Sequence, residues 1–92
     1  MRKTYDIGGN FPEITRARAD AFADELLKIE ESGFQEVVLD FSNIEVISSV
    51  AMSRLFDTYQ RLTEQKRVMR IANVGDNVRR LLKLLNLGGI IE

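Results

Sequence analysis

Two adjacent serines, Ser48 and Ser49, and one carboxylate set in an apolar run, Asp40, are the residues of this chain most open to a chemical role. They fall within VVLDFSNIEVISSVAMSRLFDTY, residues 37–59. A serine so placed can be a nucleophile, a phosphate acceptor or a helix cap. The nucleophile reading fails first. The chain has no His and no Cys, so it offers neither a Ser-His-Asp triad nor an imidazole base. ISSVA is also not a G-x-S-x-G elbow. Asp40 has no second acid beside it in the sequence, and its expected role is to end a strand by bonding nearby backbone. No catalytic residue is therefore assigned.

The remaining roles depend on what surrounds the serines. EVVLDF (36–41) is short and β-branched with a continuous apolar core, as expected of a strand buried on both faces. From Ser49 to about Glu64, Met52, Leu55, Phe56, Tyr59 and Leu62 recur on one helical stripe. The serines thus stand at a strand-to-helix junction. A hydroxyl at a helix N-terminus accepts from a free backbone N–H, worth about 1 kcal/mol. A phosphate at the same place would meet unpaired N–H groups and the positive end of the helix dipole. Such a switch needs no catalytic group in this chain.

The rest of the chain supplies a frame for that junction. KTYDI (3–7) suits a strand, GGN (8–10) breaks it, and Pro12 opens the way to a helix from about Ile14 to Ser32. Gly33 is placed to stop that helix. RVMRIANV (67–74) reads as a strand ended by Gly75, with Asp76 or Asn77 as cap of a further helix. There Val78, Leu81, Leu82 and Leu85 form the apolar face. NLGG stops this helix and IIE suits a last short strand. The order β-α-β-α-β-α-β implies one α/β domain over residues 1–92, its largely parallel sheet joined by right-handed crossovers.

Composition narrows the partners. Residues 1–50 hold ten acids and five bases, residues 51–92 four acids and eight bases, for a net charge of −1. The basic half lacks interleaved aromatics and any long Lys/Arg run, which argues for mixed helix faces and against nucleic-acid binding. Without Cys or His there is no thiolate or imidazole metal site, and no glycine cluster matches a phosphate loop. No apolar run approaches the ~20 residues of a membrane span, and the N-terminal residues lack the apolar segment of a signal peptide. The expectation is a cytoplasmic protein.

Over most of its length, and best from Glu36 to Glu92, the chain resembles the STAS domain family of bacterial anti-sigma factor antagonists. VVLDFSNIEVISSVAMSRLFDTY resembles that family's strand, bend and switch helix without a gap. KRVMRIANVGDNVRRLLKLLNLGGIIE resembles the strand, helix and final segment that follow. The resemblance implies a mixed, mostly parallel sheet of four to five strands with three to four helices. It also implies a non-enzymatic role in partner switching, without a cofactor. The partner implied is an anti-sigma factor that is also a serine kinase, phosphorylating a Ser or Thr at the start of the switch helix and thereby weakening its own binding. Against the family's Asp-Ser-Ser-Gly, this chain has Ser48, Ser49, Val50 and Ala51. Ser49 is then the first phosphorylation candidate and Ser48 the second, with Ser48 better placed as the cap. The implied partner surface comprises Ser48, Ser49, Val50, Met52, Ser53 and Arg54. The altered motif also suits an alternative, an unphosphorylated STAS scaffold or regulatory subunit of a transporter or stressosome.

Overall fold

The computed structural model describes residues 1–92. Three strands, β1 (Arg2–Asp6), β2 (Glu36–Asp40) and β3 (Val68–Ala72), form one sheet in the order β1-β2-β3. Arg2 pairs with Glu36 and Glu36 with Val68, both in parallel register. Four α-helices accompany them: α1 (Ile7–Asn10), α2 (Ala19–Glu31), α3 (Ser49–Glu64) and α4 (Asp76–Leu84). The sheet is therefore wholly parallel and three-stranded, where a mixed sheet of four to five strands was expected. The IIE segment contributes a single parallel bridge, Ile91 to Ile71, because Gly88–Ile90 is taken up by a 3-10 turn.

Strand alternation divides the sheet into two unlike faces. Val37, Leu39, Met69 and Ile71 point into one core cluster with Phe22, Leu26 and Ile29 of α2, Leu55 and Leu62 of α3, and Val78 and Leu82 of α4. Burying each such side chain contributes about 1.5–3 kcal/mol. The opposite face carries Thr4, Val38 and Arg70 in one row. Only Val38 of these is buried, and it lies outside the core cluster.

Three local expectations are corrected. Residues 8–10 do not break the chain but close a helical turn, because the Asp6 carboxylate accepts the Gly9 N–H at 2.8 Å. Gly8 lies so close to the Ser42 carbonyl that a Cβ would overlap it. The second helix begins at Ala19, not near Ile14. Ile14 is held extended by its N–H to the Val46 carbonyl (2.8 Å) and by its own carbonyl, which accepts from Ser48 N–H (2.7 Å). At α4, Gly75 occupies the cap position, leaving Asp76 inside the first turn without a capping bond. Gly33, with φ of +79°, ends the α2 segment as expected.

Candidate functional site

The connection from β2 to α3 is anchored at every third residue. Phe41, Ile44 and Ile47 are buried, while Asn43, Glu45 and Val46 face outward. Asp40 fastens its beginning. The carboxylate accepts from the Ser42 hydroxyl, from the Ser42 N–H at 2.9 Å and from the Asn73 amide at 3.2 Å. These bonds, the Ser42 hydroxyl first, hold the Asp40 carboxyl below its ordinary pKa of 3.8 against the opposing effect of burial. Asp40 thus ends the strand and tethers two loops. The far end of the connection is fixed by the Ile14–Ile47 bridge, which pins the Ser48 N–H to the Ile14 carbonyl.

That framework gives the two serines different tasks. Ser48 has extended backbone (φ −72°, ψ 159°), and its hydroxyl accepts the Ala51 N–H at 3.1 Å. It is the N-cap of α3. Ser49 is the first residue inside the helix and is exposed. Its hydroxyl stands at the positive end of a sixteen-residue helix.

Ser49 also forms part of the boundary between two depressions. On one side lies an open groove of about 540 Å³ between α3 and α4, lined by Ile47, Ser48, Ser49, Met52, Ser53 and Phe56, and across from them by Leu81, Leu84 and Leu85. On the other side a shallow polar depression gathers Ser49, Val50, Ser53, Arg54 and Asp57. Arg54 reaches Asp20 of α2 at 3.8 Å, but both side chains are well exposed and the pair contributes little.

Of the surface expected from the sequence, Ser49, Ser53 and Arg54 are exposed and Ser48 is partly so. Met52 is 4 % exposed and belongs to the core, forming only the groove's floor. Val50 is half-buried against the same core. Neither is a free apolar anchor: the buried stripe of α3 runs through Ala51, Met52, Leu55, Thr58 and Leu62. Phe56, expected on that stripe, is 38 % exposed instead. Leu81 and Leu85, expected on the core face of α4, are likewise open to solvent, because α3 packs along α2 and not along α4.

The groove's apolar wall is what the residue pattern failed to reveal. A signal was present: α4 carries Val78, Leu81, Leu82 and Leu84, followed at once by Leu85. One sheet-facing stripe cannot bury all of these, and Leu84 points away from any such stripe.

No helix is long and apolar enough to cross a membrane, and no three acidic side chains gather where they could hold a metal ion.

The fold has counterparts among solved structures. One is the structure described as the anti-sigma factor antagonist SpoIIAA in its unphosphorylated form. It aligns with a TM-score of 0.80 at 11 % identity, over 99 % of this chain and 77 % of that one. Another, the NMR structure of the protein TM1081, aligns with a TM-score of 0.70 at 17 % identity, over 99 % of this chain and 70 % of that one. At such identities the likeness is one of fold. Among curated proteins, none matches the chain in sequence. The family model described as STAS domain, however, matches residues 11–92, from Phe11 through the tethered connection, the capped helix and the final bridge. By that match the chain belongs to the STAS domain family.

Proposed function

We propose that this protein is a non-enzymatic interaction module of a partner-switching system, acting as an anti-sigma factor antagonist that is regulated at Ser49. One observation carries the reading. Ser48 is committed to the Ala51 N–H, whereas its neighbour Ser49 is exposed at the helix N-terminus and on the lip of an apolar groove. A phosphate there would be held by the helix end and would change the charge of the partner surface without disturbing the core. The partner is an anti-sigma factor with serine kinase activity, and the nucleotide belongs to it. The surface comprises Ser48, Ser49, Ser53 and Arg54, with Val50 half-buried at its edge.

The test is a pull-down from the native cytosol with mass spectrometry of the bait. A kinase-like partner, phosphate on Ser49 and weaker binding by Ser49→Asp are expected. Equal affinity of wild type and Ser49→Asp would remove the switch.

A second reading is favoured by Val50, which stands where the family's second serine is expected. It is a constitutive scaffold or regulatory subunit of a transporter or stressosome. That reading expects a stable complex and an unmodified bait.

A further inference from the structure

The two edges of the sheet are finished differently. At β3 the end of the chain lies against the edge. Ile91 bridges Ile71, the Glu92 N–H donates to the Ile71 carbonyl at 2.8 Å, and Arg70 donates to the Gly89 carbonyl at 3.1 Å. The outer edge of β1 is bare. The Glu36 N–H donates to the Met1 carbonyl at 3.1 Å, and in a parallel ladder the residues that bond a neighbour alternate. Met1, Lys3 and Tyr5 thus face β2, while Arg2, Thr4 and Asp6 point their backbone N–H groups outward. No strand, loop or side chain accepts from them. The outward carbonyls of Arg2 and Thr4 are equally free, whereas that of Asp6 is turned toward α1 and accepts from the Asn10 side chain.

A bare edge pairs with another strand unless something opposes it. Charged side chains commonly do so, and β1 reads RKTYD. Their order, however, permits one arrangement with a second copy of the same strand. Antiparallel pairing centred on Thr4 sets Arg2 opposite Asp6, Lys3 opposite Tyr5 and Thr4 opposite itself. Parallel pairing sets Arg2 against Arg2 and Lys3 against Lys3, and an antiparallel slip of two residues in one direction again sets Lys3 against Lys3. Like charges directly opposite are destabilising, whereas opposite charges and Thr–Thr pairs are favourable. The centred register also matches the free backbone groups. The Thr4 N–H of each copy meets the Thr4 carbonyl of the other, and the Asp6 N–H of each meets the Arg2 carbonyl of the other.

The side chains leave room for this. Arg2 already meets Glu36 at 3.7 Å and Glu92, and Asp6 gives one carboxylate oxygen to the Gly9 N–H while its other oxygen is unbonded. Lys3 has no acid beside it, and its ammonium lies 5.5 Å from the centre of the Tyr5 ring and 5.4 Å from that of Phe34. Exposed charge pairs add little affinity, but they select direction and register.

We propose that the outer edge of β1 is a homodimer interface, joining two copies antiparallel about Thr4 into one sheet of six strands, three from each copy. The contact is isologous and closes at two copies. It has no apolar core, so the dimer dissociates on dilution and leaves β1 paired on one side. Ser49, Ser53 and Arg54 belong to α3 and take no part in it, so the dimer carries that surface twice.

The experiment is sedimentation equilibrium of the full chain, with a dimer expected to form between about 10 µM and about 1 mM. The Thr4 N–H makes no bond within one copy, so Thr4→Pro removes only an outward donor and puts a ring in the path of the second strand. It is expected to weaken the dimer about tenfold or more, with an unchanged far-UV spectrum. The chain has no Cys, so a disulfide formed by a single-Cys variant joins two copies. Thr4→Cys sets two cysteines about 5.5 Å apart between their Cα atoms, within the reach of a disulfide. Arg2→Cys sets them about 14 Å apart along the strands, beyond it. Oxidation at high protein concentration is therefore expected to cross-link Thr4→Cys and not Arg2→Cys. A monomer at about 1 mM overturns the inference. So does a dimer that a folded Thr4→Pro keeps, or one that Leu84→Asp on the α3–α4 groove removes, or cross-linking of Arg2→Cys as ready as that of Thr4→Cys. If Thr4→Pro unfolds the chain, the two cysteine variants decide.

Discussion

The two ends of α3 are built for opposite purposes. At the C-terminal end, Arg61 meets Glu30 of α2 at 2.9 Å and Leu62 is wholly buried. Just beyond, Arg67 donates to the Phe34 and Glu30 carbonyls, each at 2.9 Å, and so ties the approach to β3 to the end of α2. At the N-terminal end the framework stops one residue short of the solvent. Ser48 is bonded at its N–H, hydroxyl and carbonyl, while Ser49, Ser53 and Phe56 lie open. The helix is thus clamped at one end and presented at the other. A charge change at the presented end is not borne by the contacts that hold the domain together.

This contrast is measurable by chemical denaturation. Leu62→Ala, in the clamped half, is expected to cost about 2–5 kcal/mol. Phe56→Ala, on the groove, should cost well below that range; a comparable loss would erase the distinction. Arg67→Ala removes charge-assisted bonds to two carbonyls and should cost about 1.5–3 kcal/mol. The serines sharpen the comparison to a single step along the chain. Ser48→Ala is expected to lose about 1 kcal/mol as a lost cap, and Ser49→Ala to stay within about 0.5 kcal/mol. If the order is reversed, the assignment of cap and free hydroxyl is wrong.

The smallest effect concerns the connection that leads to the presented end. The Asp40 carboxyl is depressed in the folded state, so its stabilisation is present above the ordinary value of 3.8 and is lost as pH falls through the folded value. Wild type should therefore lose stability relative to Asp40→Asn as pH drops below about 4. Parallel stability curves for the two proteins would show that the tether carries no net charge effect.

Much of the frame is legible in the residue order. The limits expected for α3 coincide with those observed, since a capping serine and a sustained apolar stripe mark them together. Gly33 is legible because only a positive φ follows the helix there. Ile14 is misread because a lone apolar residue at helical spacing looks the same whether it belongs to a helix or to a bridge formed with a distant Ile47. The sheet is overcounted because IIE has strand composition, but the 3-10 turn leaves it one paired residue. The serine site is visible because capping is local. The groove is not, because it depends on which pairs of helices touch, and α3 chooses α2 over α4.

The wholly parallel sheet has a consequence in time. With no hairpin, neither strand pairing can form from neighbours along the chain: Arg2 must find Glu36 across α1 and α2, and Glu36 must find Val68 across α3. Folding therefore waits on loop closures whose entropy is spent before any ladder bond is gained. β2 takes part in both closures. Its amides should be the last to exchange with solvent deuterium, with those of β1, paired on one side only, exchanging ahead of them.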